Sequence, residues 1–197
     1  MLAQRTPVVQ GLPPRSELVR QGGSYVIRTP EVACVTAVPT TTAPFTLWNG
    51  AAQPSAAYPT SPGGCVYVID AIGWLCTTSA GAASMFQLLA LIPKAPVAAQ
   101  PDTAGTLVIN GLTGQPYAGL AKVSATVTVV DDGWFSLGNK IETALTATGG
   151  AGLEAPVEGS LIIPPGHLLA LAILAVNTTA KGKFMIRYHE VELPVVT

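Results

Sequence analysis

Residues 168–176 constrain the fold most, because they read Leu-Leu-Ala-Leu-Ala-Ile-Leu-Ala-Val without a polar side chain on either face. A Pro-Pro-Gly sequence precedes this run, and the turn-like sequence Asn-Thr-Thr-Ala-Lys-Gly follows it. Leu and Ala are good helix formers, so a buried helix is the alternative. Nine residues are few for a helix, however, and the Pro-Gly corner favours a strand. Such a strand has to be covered on both sides.

Residues 183–193 predict the last strand, paired with 168–176 in a hairpin. From 183 to 189, the apolar residues Phe, Ile and Tyr alternate with Met, Arg and His, which is typical of a half-buried strand. The alternation breaks near Glu190, because Val191 and Leu193 have the opposite parity. A β-bulge near Glu190 would return both residues to the core face.

The composition indicates a subunit that hides much of its surface in an assembly. Of the 197 residues, 49 % are hydrophobic and 11 % are charged, whereas a typical soluble domain has about 25 % charged residues. A membrane protein is the other possibility, but no apolar run approaches the ~20 residues that a spanning helix needs. Aromatic residues, which form the girdles of outer-membrane barrels, make up only 6 %.

The net charge of −1 gives no general attraction to nucleic acid. We therefore expect no membrane and no direct nucleic-acid partner.

Residues 1–24 predict an extended N-terminal arm, because Pro and Gly interrupt any regular element there. Arg5, Arg15 and Arg20 make it mildly basic, so it either laces onto a neighbour or is a solvated tail. Residues 25–197 predict a single β domain with roughly eight strands, in which 65–77 and 85–92 form a long hairpin. Turn sequences separate the strands, and no convincing helix exceeds two turns. This pattern is typical of a sandwich or barrel.

The sequence offers no set of catalytic or metal-binding residues. His167 and His189 are isolated, and neither has a second histidine at metal-ligand spacing. No nucleophile elbow and no phosphate-binding loop is present. The Asp131-Asp132-Gly133 sequence predicts a turn rather than an ion site. We therefore expect no enzymatic activity, no cofactor and no metal.

Three cysteines, Cys34, Cys65 and Cys76, fit neither a disulfide framework nor a zinc site. The first residues also lack the apolar core of a secretory signal. We expect free, buried thiols in a protein that is made in a reducing cytoplasm.

Two groups of residues are candidates for contacts with other molecules. His189 and Glu190 predict a strand-edge pair at a contact surface, and Glu190 with Glu192 would form a charged edge. Trp48, Tyr58 and Trp134 are predicted near turns, where aromatic rings could stack on a sugar.

Three features together resemble the single jelly-roll virion proteins of tailed bacteriophages. They are Gly64-Cys65-Val66-Tyr67-Val68-Ile69, the corner Leu161-Ile162-Ile163-Pro164-Pro165-Gly166, and low charge with abundant Ala, Thr, Gly and Pro. The family includes capsid decoration or cement, head-fibre and minor capsid subunits. The resemblance spans about residues 60–193. It implies an eight-stranded antiparallel jelly-roll-like β-sandwich, a homo-oligomer that is often a trimer, and docking on a capsid lattice.

These observations lead to the prediction of a non-enzymatic virion structural protein that is assembled in the host cytoplasm. Its partners would be copies of itself and the major capsid protein or other virion proteins. Because the chain carries little charge, a neighbouring subunit could cover one face of 168–176. The predicted interface residues are Arg5, Arg15, Arg20, Leu168, Leu169, Leu171, His189 and Glu190. A receptor- or carbohydrate-binding head domain of a phage fibre or spike is the alternative function.

Overall fold

A computed structural model describes residues 24–50, 65–98, 107–110, 121–125, 127–131, 133–142 and 152–192. Every helix or strand assigned in these ranges is a β-strand, which confirms the all-β prediction. The predicted arm, with Arg5, Arg15 and Arg20, lies outside the described residues apart from Ser24. Tyr58 and Asp132 also lie outside them.

The described ranges contain fourteen strands rather than the predicted eight, because several are pairs of short segments or belong to an inserted region. In chain order they are β1 (Ser24–Arg28), β2 (Val32–Ala33), β3 (Thr42–Ala43), β4 (Phe45–Asn49), β5 (Cys65–Thr78), β6 (Ser84–Leu91), β7 (Leu107–Asn110), β8 (Ala121–Ser124), β9 (Val127–Thr128), β10 (Phe135–Glu142), β11 (Gly152–Ala155), β12 (Leu161–Ile163), β13 (Leu168–Leu174) and β14 (Lys181–Glu192).

Two antiparallel sheets form the body of the molecule, as expected of a β-sandwich. The seven-stranded sheet has the order β11-β5-β14-β1-β7, with β12 also paired to β5 and β2 to β14. The five-stranded sheet has the order β10-β6-β13-β4-β8. Strands β3 and β9 form a separate two-stranded sheet.

The main strand pairs are nested along the chain. The first strand pairs with the last (β1 with β14), β4 pairs with β13, β5 with β11 and β12, and β6 with β10. Consequently β5 and β6 lie in different sheets, as do β13 and β14. The two predicted hairpins are therefore wrong, because the chain crosses between the sheets at both turns instead of pairing across them.

The main core lies between the two sheets and draws on both. It includes Ile27, Tyr67, Ile72 and Phe184 from the seven-stranded sheet, and Phe45, Leu88, Leu169 and Leu171 from the five-stranded sheet. Each of these side chains is at most 2 % exposed. The alternating strands of the sequence place one apolar face of each sheet here, as packing of two sheets requires.

A second, smaller core covers the other face of β13. Leu168 and Ala170 pack there with Ala43 of β3 and with Val127 and Val129 in and beside β9. The strand is therefore covered on both sides, as predicted, but by the same chain. Leu168, Leu169 and Leu171 are all fully buried, so the prediction that they contribute to a subunit interface is wrong.

A β-bulge occurs in the centre of the seven-stranded sheet, but on β5 rather than β14. Arg187 pairs with Ala71 and Tyr188 with Ile69, which leaves Asp70 as the extra residue. The predicted bulge at Glu190 is therefore wrong, and Val191 is 40 % exposed instead of returning to the core. Leu193 lies outside the described residues.

Candidate functional site

The surface that stands out is the outer face of the seven-stranded sheet, which points away from both cores. We define this outer face by Leu75, Met185, Arg28, Lys181, Lys183 and Arg187. In β14, the core residues Phe184, Ile186 and Tyr188 alternate with residues that point outward. Leu75 and Met185 are 55 % and 53 % exposed, although large aliphatic side chains are usually withdrawn from water.

Cationic side chains surround these two apolar residues. Lys181, Lys183 and Arg187 lie two and four residues apart along β14, on the same side of the strand. Arg28 of β1 pairs in register with Met185. All four are exposed, and they represent four of the ten Lys and Arg residues in the chain. The outer face thus concentrates positive charge in a molecule whose net charge is close to neutral.

Only part of this positive charge is compensated. An Arg187 guanidinium nitrogen lies 3.4 Å from a Glu154 carboxylate oxygen, and both side chains are more than half exposed. Such an exposed pair contributes about 0–1 kcal/mol. Within the described part of the chain, no carboxylate lies within ion-pair distance of Arg28, Lys181 or Lys183.

A groove of about 340 Å³ opens on this outer face. Gly73 forms its floor, and Leu75, Glu154 and Met185 form its walls. Gly73 pairs with Met185 on one side and with Glu154 on the other. Because Gly73 has no side chain, the surface is recessed between these neighbours.

His189 lies on the same sheet face, where its Nδ1 atom is 3.2 Å from an Asp70 carboxylate oxygen. Both side chains are largely buried, at 15 % and 12 % exposure. The bulge places Asp70 here, and the Asp70 carbonyl accepts a hydrogen bond from the Glu158 amide. Ser24 is opposite His189 in register, but no hydrogen bond joins its hydroxyl to the imidazole in the described structure. The pair therefore secures the bulge and lacks the nucleophile contact of a catalytic triad.

The structure separates His189 from Glu190. Glu190 lies on the inward parity of β14, paired with Tyr67, whereas His189 points outward. Strand β14 lies between β5 and β1 from Met185 to His189, whereas Glu190 and Glu192 pair with β5 only in the described residues. The charged sheet edge at Glu190 and Glu192 therefore stays a prediction. Tyr25 lies at this end of the sandwich. Burial is the largest cause that raises the pKa of its hydroxyl, and the negative charges of Glu190 and Cys65 raise it further.

Trp48 and Trp134, two of the three aromatic residues proposed for sugar contact, do not form an open platform. Trp48 and Trp134 both pack against the second core. Their indole nitrogens are buried without a hydrogen-bond partner in the described structure. A sugar-stacking residue needs an exposed ring face, so this packing counts against the carbohydrate-binding alternative for these two residues.

The remaining candidates are structural. Asp131 accepts a hydrogen bond from the Gly133 amide at 3.1 Å, and Gly133 has a φ of 112°, which confirms the predicted turn. In the described structure none of the three cysteines forms a disulfide; Cys34 and Cys76 are buried, and Cys65 is half-buried. Burial, and then the neighbouring Cys76, raise the pKa of the Cys34 thiol to about 12.

The described ranges contain no cluster of three His, Cys, Asp or Glu residues that could hold a metal ion. A search of the same ranges for a long apolar helix able to cross a bilayer finds none. Comparison of the chain with protein-family models, curated proteins and solved structures gives no match.

Sequence reasoning missed the outer face because it focused on the most apolar run. The signal was nevertheless present in the alternation of Lys181, Lys183 and Arg187 with buried aromatic and aliphatic residues. The contribution of Arg28 and Leu75 was not visible, because only strand pairing brings β1 and β5 to either side of β14.

Proposed function

We propose that the chain is a non-enzymatic structural protein of a phage virion, a capsid decoration, cement or minor capsid subunit. It forms a homo-oligomer, with a trimer as the form that the family resemblance implies, and it binds the capsid lattice.

One observation carries this proposal. Both cores are covered by strands of the same chain, yet large apolar side chains remain exposed on the outer surfaces of both sheets. Leu75 and Met185 lie on the seven-stranded sheet. On the five-stranded sheet, Ile141 is 74 % exposed and pairs with Met85, which is 49 % exposed. Exposed apolar groups of this size are typical of interaction surfaces, and an assembly subunit needs at least two such surfaces.

The order of the strands supports a jelly roll. In this fold, a long antiparallel ribbon is wrapped into two sheets, so that the first strand pairs with the last and the inner pairs nest within them. The pairs of β1 with β14, β4 with β13, β5 with β11 and β12, and β6 with β10 follow this scheme. Strands β7, β8 and β9 then belong to an insertion between β6 and β10. A jelly roll is also the fold that the resemblance of the sequence to single jelly-roll virion proteins implies.

Immunogold labelling of virus particles tests the proposal. Particles from the host that carries the gene are labelled with an antibody to the chain and imaged in negative stain. We expect gold particles at regular positions on the capsid. Particles without label on capsid, portal and tail would overturn the proposal, provided that the antibody detects the purified chain.

A further inference from the structure

We infer that the outer face binds an acidic, extended segment of another virion protein, which inserts an aliphatic side chain into the Gly73 groove. This inference rests on the proposed function and names the chemistry of one partner.

The positive charges are arranged to meet carboxylates on an extended chain. Lys181 and Lys183 lie on the same side of β14, two residues apart, and Arg28 is exposed on the neighbouring strand. Alternate residues of a strand are about 6.6–6.8 Å apart, so acidic residues at alternate positions of an extended partner match this spacing. Since these three cations have no ion-pair partner in the described residues, a ligand carboxylate gains an attraction without displacing an existing one.

The apolar component distinguishes a protein segment from other anions. Leu75 and Met185 line the groove around Gly73, and in register they lie beside Lys183 and Arg28. The Glu154 carboxylate, on the other wall, is paired with Arg187. A Leu or Val side chain that enters the groove would cover both. Nucleic-acid binding surfaces instead combine cations with exposed aromatic rings that stack on bases, and this groove presents aliphatic side chains to the solvent.

A second copy of the same face does not fit. Face-to-face pairing would bring Lys181, Lys183 and Arg28 of one copy close to the same residues of the other, and like charges in contact are unfavourable. We therefore assign the complementary surface to a different protein.

Peptide binding to the full chain tests this inference. The probe is a fluorescent twelve-residue peptide with aspartate and leucine in turn at its odd positions and serine at its even positions, so that both side-chain types project from the same side of the extended peptide. Its affinity is measured by fluorescence anisotropy. Two comparison peptides replace aspartate with asparagine, or leucine with serine. We expect the probe to bind at least tenfold more tightly than either comparison peptide, and the affinity to fall as salt rises.

Two variants locate the binding on the outer face. A triple variant with Arg28→Glu, Lys181→Glu and Lys183→Glu should lose at least tenfold in affinity. The control carries Lys94→Glu and Lys122→Glu, which lower the net charge by four units at residues that do not line the groove, and it should bind normally. Gly73→Val should weaken binding by filling the groove. The fold has room for the first atom of the added side chain, since a Cβ atom at Gly73 meets its neighbours at ordinary distances of 3.6–3.8 Å. Circular dichroism establishes that each variant is folded.

Three results would overturn the inference: equal binding by the triple variant, equal binding of the asparagine peptide, or tighter binding of a single-stranded DNA oligonucleotide or an anionic vesicle. Since these measurements use the isolated chain, they do not depend on the particle images. Unlabelled particles together with specific peptide binding would refute the virion role alone. Labelled particles without peptide binding would refute the acidic partner alone.

Discussion

Gly182 shows how a single residue determines the packing of the central strands. It lies on the inward side of β14, opposite Cys76. A Cβ atom at this position would overlap the indole ring of Trp74 and the backbone carbonyl oxygen of Leu75. The carbonyl belongs to a central strand and cannot rotate away, so the close approach of β14 to β5 requires glycine here.

Gly182→Ala should therefore destabilise the fold by about 1–3 kcal/mol, as overpacking in a core does. The measurement is equilibrium unfolding in urea, followed by circular dichroism. Gly138→Ala is the matched control, since a Cβ atom at Gly138 has no neighbour within 4 Å. If both variants unfold at the same urea concentration as the wild type, the close approach does not limit packing at Gly182.

At the scale of elements, the second core explains how an almost entirely apolar strand is accommodated in one chain. Strand β13 contributes Leu169, Leu171 and Ile173 to the main core, and Leu168 and Ala170 to the second core. The cover over the second core consists of β3, β9 and the residues beside them. Its contact is fixed in part by the Val129 amide, which donates a hydrogen bond to the Thr41 carbonyl at 2.9 Å.

Val129→Asp should remove this cover. Val129 is 3 % exposed, and a buried carboxylate without a partner costs about 3–5 kcal/mol. We expect a large loss of stability in urea unfolding and increased binding of an apolar dye to the uncovered side of β13. Val130→Asp provides the control, because the adjacent Val130 is 65 % exposed and should tolerate the charge. Similar stability of the two variants would show that β9 is not a necessary cover.

At the scale of the whole molecule, the two exposed apolar surfaces differ in charge. The outer face of the seven-stranded sheet is cationic, whereas the nearest residues of the same parity as Ile141 and Met85 are Asn139 and Gln87, which carry no charge. A surface without an excess of one charge can meet another copy of the chain without like-charge repulsion. We therefore predict that self-association uses the Ile141 and Met85 surface, and we propose the outer face for the contact with a different protein.

Light scattering coupled to size-exclusion chromatography tests this assignment. The isolated wild-type chain should self-associate. Ile141→Asp should weaken self-association at least tenfold, because covering an isoleucine contributes about 1.5–3 kcal/mol and about 1.4 kcal/mol corresponds to a factor of ten. Leu75→Asp should leave the oligomer unchanged. A monomer at all concentrations of the wild type would contradict the homo-oligomer, and a monomer produced only by Leu75→Asp would exchange the roles of the two surfaces.

The sequence determined local structure through periodicity. The alternation in residues 183–189 predicted an inward and an outward face, and the structure has both. The double-sided apolar run 168–176 predicted a strand covered on two sides, and this was confirmed. The Asp131 turn followed from side-chain chemistry that acts over two residues. These features depend on neighbours in sequence, so they were visible in it.

Only the tertiary structure decided which strands pair and what covers them. A turn between two apolar strands is compatible with a hairpin or with a crossing between sheets, and here the crossing occurs at both β5–β6 and β13–β14. The cover over Leu168 comes from β3 and β9, distant in sequence, because burial depends on position in space and not on separation along the chain. For the same reason, the cationic outer face emerges only when β1 and β5 lie on either side of β14.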